Sequence, residues 1–288
     1  AKRQYEALHA DMSLSEFKFI FFWEYFHRLW ARMMGFIFLF PFLFFLYKKM
    51  LPKWYVKRMG IVILLAMLAA TFGWIMVASG LNNDTRTWVS AYKLMIHLAI
   101  ATLLFGYLFW TYLLASKTVN SESVGNSLGR FSKLLIGFVF VQILFGALMA
   151  GMRAGMVHPY FPILVEWERF STILSGQDLG SITNYESSAK VKAWVQIIHR
   201  VTAYLLVFAC LVFVRRVFRA PSSKSLRKAT QMLVSLVGIQ FLLGVLTVIN
   251  CIGHIPLTLA VLHQGVALLL FASILYVHFH LTNKKIST

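Results

Sequence analysis

The chain has 288 residues, of which 59% are hydrophobic and only 13% charged, whereas a soluble domain carries about 25% charged residues. This composition excludes a water-soluble enzyme, a disordered chain and a secreted disulfide scaffold. The net charge of +18 does not indicate nucleic-acid binding, because the basic residues gather in loops, where membrane topology accounts for them. The composition predicts a polytopic membrane protein.

Seven apolar runs are long enough to cross the hydrocarbon core as helices, which takes about 20 residues each. The short alternating segments of a membrane barrel are absent from the sequence, and backbone groups in lipid must be satisfied within their own segment. In chain order the runs cover 20–47, 59–79, 89–115, 131–152, 191–214, 230–250 and 256–281. We therefore predict an all-α, polytopic membrane helical bundle with seven spans.

Lys and Arg in the loops give the direction of these spans. One set of loops carries basic clusters that include Lys48, Arg215 and Lys284, and its only acid is Glu122. The other set holds most of the acids. The basic set is predicted to lie in the cytoplasm or matrix, so this chain's N-terminus lies outside and its C-terminus inside.

Spans 1 to 3 resemble spans 5 to 7 in order, which indicates a tandem repeat. A His-Arg pair opens spans 1 and 5, and a lone histidine lies in spans 3 and 7. The repeated residues are His27-Arg28, His97, His199-Arg200 and His263. A complete repeat of four plus four helices predicts that one N-terminal helix is absent from this chain. The predicted division is an N-terminal half at 1–115, an inner linker at 116–130 and a C-terminal four-helix half at 131–288.

The four histidines within the spans are the main candidates for function, because ionisable residues at membrane depth are costly. They are His27, His97, His199 and His263. They are predicted to share one level, about 12 Å below the outer ends of their spans. Two histidines per repeat suit two metal centres, since imidazoles from facing helices give bis-His coordination of haem iron. The alternative is that each histidine hydrogen-bonds across a helix interface, whereas zinc is disfavoured because no carboxylate or thiolate completes a tetrahedral set in the second half.

Other polar and small residues in the spans have two interpretations each. Arg28, Arg32 and Arg200 either snorkel to the membrane interface or pair with haem propionates. Four glycines are expected to allow close helix approach rather than to touch a ligand. These are Gly73, Gly146, Gly151 and Gly244. The other five histidines are interpreted as surface or interfacial residues: His9, His158, His254, His278 and His280.

Several short motifs extend over nearly the whole chain and are specific in combination. They are residues 16–20, Glu24-Tyr25-x-His27-Arg28, 77–81, 146–155, 196–204 and His263-Gln264. In this combination the sequence resembles the haem A synthase family of the mitochondrial and proteobacterial type. It departs from that family at its start, where the family's first helix and most of its first outer loop are missing.

The resemblance implies two four-helix halves, with substrate haem O in the N-terminal half and a permanent haem b in the C-terminal half. It implies oxidation of a methyl group of haem O to a formyl group, which gives haem A. His27 and His97 are then expected to face the substrate with Glu24 beside it, and His199 and His263 to ligate haem b. The implied surroundings are membrane lipid in a bacterial cytoplasmic or mitochondrial inner membrane. The implied partners are an electron donor and haem O synthase, and a homo-oligomer stays open.

The main alternative is a dihaem cytochrome b-type electron carrier, a quinone oxidoreductase. Glu24 argues against it, because a pure electron carrier has no need for an acid one helical turn before a ligand. Aligning His27 with His199 places Glu24 opposite Gln196, which predicts chemistry at the first site and cofactor holding at the second. Glu24 also lies four residues before Arg28, so a structural ion pair with Arg28 is the other interpretation.

Overall fold

The computed structural model describes residues 13–81, 89–116, 126–162 and 188–282. Within these ranges the regular structure is helical, and seven helices are long and apolar enough to cross a membrane. They are α1 (Leu14–Tyr47), α2 (Lys53–Leu81), α3 (Ala91–Ser116), α4 (Asn126–Gly151), α5 (Ala189–Arg219), α6 (Lys224–Ile249) and α7 (Leu257–Thr282). A short 3-10 helix, Ala154–Met156, follows α4. The predicted all-α polytopic bundle with seven spans is confirmed in the described part of the chain.

Several helices begin at a serine that caps their first turn. Ser13 and Glu16 form a reciprocal capping box at the start of α1. Ser188 and Ser223 each accept a hydrogen bond from a backbone N–H in the first turn of α5 and α6. Because such side chains satisfy backbone donors at a helix start, these helices begin earlier than their apolar runs alone predict.

Helices α4 to α7 pack into a closed ring. Both α4 and α6 contact α5 and α7, so α5 and α7 occupy opposite corners. The apolar core of the ring includes Phe213 on α5, Leu233 on α6 and Ile274 on α7. Helix association in lipid depends on close packing of this kind. The ring is formed by the helices assigned to the C-terminal half, although α4 begins at Asn126, inside the segment predicted as a linker.

Two glycines let α3 approach this ring closely, and α2 in turn packs on α3. A Cβ atom at Gly106 would lie 2.8 Å from Cε1 of Phe271 on α7. A Cβ atom at Gly151 would lie 2.8 Å from both Cα and Cβ of Ala91 on α3. Any larger residue would force the helices apart, which confirms the expectation of close approach at Gly151.

The first helix differs from the others in its burial. None of the described residues of α1 is buried, and Pro41 lies within the helix. Its Phe, Trp and Leu side chains are largely exposed on the chain as it stands. Glu24, His27 and Arg28 therefore lie on an exposed apolar helix.

Two of the histidines interpreted as surface residues are buried, so that interpretation was wrong for them. His158 is 7% exposed and His280 is 1% exposed. His280 is buried because α7 packs on α3, α4 and α6 together, and the Tyr276 ring lies edge-on to it at 4.7 Å. His278 is half-buried, with Nδ1 at 2.7 Å from the hydroxyl of Ser132. His254 is exposed as expected, and His9 lies outside the described residues.

Candidate functional site

His199 on α5 lies against a polar side chain of α4. The amide nitrogen Nε2 of Gln142 lies 3.1 Å from Nδ1 of His199, and it donates to the backbone oxygen of His199 at 2.8 Å. The Thr202 hydroxyl lies 2.5 Å from Oε1 of the same amide. A Cβ atom at Gly146, one turn further along α4, would lie 3.5 Å from Cε1 of His199. The imidazole is thus held between an amide and a glycine of the neighbouring helix.

His263 on α7 has an equivalent setting on α6. Nε2 of Gln240 lies 3.2 Å from Nε2 of His263. A Cβ atom at Gly244 would lie 3.0 Å from Cε1 of His263. The other ring nitrogen, Nδ1, is buried, and no hydrogen-bond partner for it exists among the described residues. One nitrogen of this imidazole therefore contacts the amide, while the other has no protein partner in the described part of the chain.

The two imidazoles belong to helices at opposite corners of the ring, α5 and α7. They lie within the range of electrostatic interaction with each other. The structure therefore brings His199 and His263 together, as bis-His coordination requires.

The chemistry of this pair fits a haem better than a metal ion held by protein alone. In the described part of the chain, no cluster of three or more His, Cys, Asp or Glu side chains could hold a metal. A haem iron needs only two axial imidazoles, because the porphyrin supplies its remaining ligands. The glycines beside His199 and His263 leave room for the rings, and the unpartnered Nδ1 of His263 is the kind of donor that a metal satisfies.

His97 on α3 has a related setting on α2, but without an amide side chain. A Cβ atom at Gly73 would lie 3.0 Å from Cε1 of His97. Nδ1 of His97 lies 3.0 Å from the backbone oxygen of Ala69. Because a carbonyl oxygen only accepts hydrogen bonds, Nδ1 is the donor, which in a neutral imidazole leaves the lone pair on Nε2. His97 is therefore in the tautomer that can bind a metal through Nε2.

His27 and Glu24 lie on the exposed α1, and the described contacts do not bring His27 to His97. The carboxylate of Glu24 forms an ion pair with Arg28 four residues later. Residues four apart face each other on a helix, so the structure shows the pairing that the spacing allows. Arg32 on the same helix is exposed.

The segment after α4 lies against the N-terminal part of α5. Gln196 is 2% exposed and donates to the backbone oxygen of His158 at 2.8 Å. Arg200 is buried and donates to the backbone oxygen of Tyr160 at 2.8 Å. The Phe161 ring packs edge-on against Phe241 of α6 at 6.2 Å. These bonds explain why His158 is buried, and they show that Arg200 is turned into the protein rather than exposed.

Sequence reasoning missed the two amides beside the histidines. The available signal was a spacing: Gln142 and Gln240 each stand four residues before the glycine that touches a histidine. It was missed because the partner histidine lies on another helix, far away in the sequence.

The amino-acid sequence matches a known family over most of its length. The family model described as cytochrome oxidase assembly protein, COX15-CtaA, matches residues 1–275. The chain belongs to this family. Membership confirms the resemblance expected from the motifs.

Relatives in this family are similar over most of the chain. It is 34% identical over 281 residues to the heme A synthase of Nitrosospira multiformis, covering 96% of this chain and 76% of that protein. It is 38% identical over 270 residues to the heme A synthase of Bradyrhizobium diazoefficiens, covering 92% and 71%. The heme A synthase of Wolbachia pipientis is 33% identical over 290 residues, covering 99% and 81%.

Proposed function

We propose that this protein is a haem A synthase, an oxidoreductase of the membrane that acts on haem O. The observation that carries the proposal is the pair His199 and His263 inside the α4–α7 ring, in a chain whose relatives are heme A synthases. The reaction converts a methyl group of haem O into the formyl group of haem A.

The C-terminal half is proposed to hold a permanent haem b between His199 and His263. When bound, this haem supplies electron transfer. The chain's own part is to hold two neutral imidazoles in place, which Gln142, Gln240 and the neighbouring glycines do. The apolar core of the ring is proposed to help exclude water from this site.

The N-terminal half is proposed to bind substrate haem O, with His97 and His27 facing it. The tautomer of His97 supports this, since its Nε2 is available as a ligand. Glu24 stands one turn before His27, where a carboxylate can accept a proton or stabilise positive charge on an oxidised carbon. Arg28 is proposed to hold that carboxylate in place through their ion pair, and Arg28 and Arg200 to lie near the haem propionates.

The protein is proposed to work within a membrane and together with other proteins. The seven apolar helices place the chain in a membrane, and the basic loops favour an N-terminus outside and a C-terminus in the cytoplasm or matrix. We propose membrane lipid, an electron donor and haem O synthase as partners, and no nucleic acid.

Analysis of extracted pigment tests the proposal. The purified protein is expected to yield haem B together with haem O or haem A. His263→Ala is expected to lose the low-spin haem b spectrum, whereas His254→Ala, at an exposed histidine outside the spans, is expected to keep it. Two equivalents of haem B alone would contradict haem A synthesis and favour the electron carrier.

A further inference from the structure

A four-residue spacing of Gln and Gly recurs on the two helices that support His199 and His263. Gln142 and Gly146 lie on α4, and Gln240 and Gly244 lie on α6. In each pair a Cβ atom added at the glycine would lie against Cε1 of the histidine, at 3.5 Å for Gly146 and 3.0 Å for Gly244, and the amide nitrogen contacts a ring nitrogen. Residues four apart share one face of a helix, so each supporting helix presents the same two groups to its histidine.

The N-terminal half keeps the glycine of this pattern but not the amide. A Cβ atom added at Gly73 would lie 3.0 Å from Cε1 of His97, the same distance as from a Cβ atom at Gly244 to Cε1 of His263. Four residues before Gly73 stands Ala69, and only its backbone oxygen contacts the imidazole, at 3.0 Å. The surroundings of His97, His199 and His263 are therefore alike in having a glycine beside the imidazole. They differ in the glutamine side chain, which His97 lacks.

This difference changes what the imidazole can do for a metal. When one ring nitrogen binds iron, the other carries a proton and needs an acceptor. Gln240 can present oxygen in place of its NH2 group by a half-turn of its amide, because its Oε1 has no partner among the described residues. The amide of Gln142 is instead held by the backbone oxygen of His199 and the hydroxyl of Thr202, so it fixes the position of His199. A stronger acceptor makes the imidazole a stronger electron donor and favours ferric iron, and loss of such a partner typically costs 10–100-fold in metal affinity.

We propose that Gln142 and Gln240 are positioning residues that fix the orientation of His199 and His263 and strengthen their hold on a permanent haem. In the N-terminal half Ala69 stands in place of the glutamine. The histidine there then lacks this support, which suits a haem that must leave as product. This inference rests on the proposed haem b site between His199 and His263.

Packing alone does not account for Gln240. Its Oε1 is buried and has no hydrogen-bond partner among the described residues. A buried amide with an unsatisfied oxygen is destabilising relative to an apolar residue of similar size. A purely structural role therefore predicts that Gln240→Leu is neutral or stabilising and leaves bound haem unchanged.

The test compares Gln240→Leu, Gln240→Glu and Gln142→Leu with Gln231→Leu, an exposed glutamine on the same helix α6. Purified full-length proteins are titrated for the reduction potential of the low-spin haem, and haem loss to excess apomyoglobin is timed. We expect both leucine variants to lose haem roughly 10-fold faster or more. The potential is expected to fall in the order Leu, Gln, Glu at position 240, because the carboxylate is the strongest acceptor.

The outcomes separate this inference from the function on which it rests. An unchanged potential and haem-loss rate in both Gln240 variants would overturn the inference if the wild type carries a low-spin haem that His263→Ala removes. A wild type without such a haem would overturn the proposed haem b site as well. Gln240→Glu has nearly the same shape as the wild type, so its shift in potential tests the idea even if Gln240→Leu fails to fold.

Discussion

Gly244→Ala is expected to disturb haem binding by crowding a single imidazole. The added Cβ would lie 3.0 Å from Cε1, 3.6 Å from Nδ1 and 3.8 Å from Nε2 of His263. Carbon atoms in contact lie about 3.5–4.0 Å apart, so the imidazole has to retreat by about 0.5 Å. Groups in a functional site must be held within about 0.5 Å of their productive positions. A displacement of this size is therefore large enough to disturb haem binding.

The effect on folding stability is expected to be smaller than the effect on haem. Overpacking costs about 1–3 kcal/mol, and alanine gains about 1 kcal/mol over glycine in a helix interior. The net loss of unfolding free energy is therefore about 0–2 kcal/mol. The haem-to-protein ratio and the low-spin spectrum are expected to fall while the thermal denaturation midpoint in detergent changes little.

Gly238→Ala is the matched control on the same helix. A Cβ atom there would meet nothing within 4 Å, so this variant gains helix propensity without touching His263. Gly146→Ala is an intermediate case, because its Cβ would lie 3.5 Å from His199, an ordinary contact. Equal haem content and identical spectra in Gly244→Ala and Gly238→Ala would refute the steric argument.

Three further predictions concern other parts of the chain. Glu24→Gln is expected to keep bound haem but to lose formyl product by about 10²–10⁴-fold. Gln196→Glu is expected to destabilise the fold by about 1–3 kcal/mol, because it sets a carboxylate against the backbone oxygen of His158. Product analysis and thermal denaturation check this pair, and full haem A production by Glu24→Gln would contradict it. A reporter fused after Lys285 is expected in the cytoplasm or matrix and one near Gly176 on the opposite side; both on one side would contradict the topology. Burial raises the pKa of the Cys251 thiol, so less thiolate is present at neutral pH. Alkylation of Cys251 in the folded protein is therefore expected to become fast only at a pH above the usual pKa of a thiol. Rapid labelling at neutral pH would contradict this.

The spans could be predicted from the sequence because the length of an apolar run depends on local composition alone. The start of α1 was missed by a few residues, because Ser13 and Glu16 cap the helix before its apolar run begins. The burial of His158 was missed for a different reason. It depends on Gln196 and Arg200, which lie on α5 and bind the backbone of the segment from His158 to Tyr160.

The histidines themselves could be predicted because an ionisable residue stands out in an apolar run. Their supporting groups could not, because Gln142 and Gln240 become meaningful only when α4 meets α5 and α6 meets α7. An amide in an apolar helix is a weak signal by itself, and its partner is settled by tertiary packing.

The polar residues flanking His27 and His199 occupy the same repeat positions but have different partners. Glu24 and Arg28 bind each other on the exposed α1. Gln196 and Arg200 instead bind backbone oxygens of the segment that follows α4, and both are buried. In the second half these positions close the end of the ring at which α5 begins, which suits the proposed permanent haem. In the first half the acid and the base remain accessible, and we expect an exchangeable substrate to meet them there.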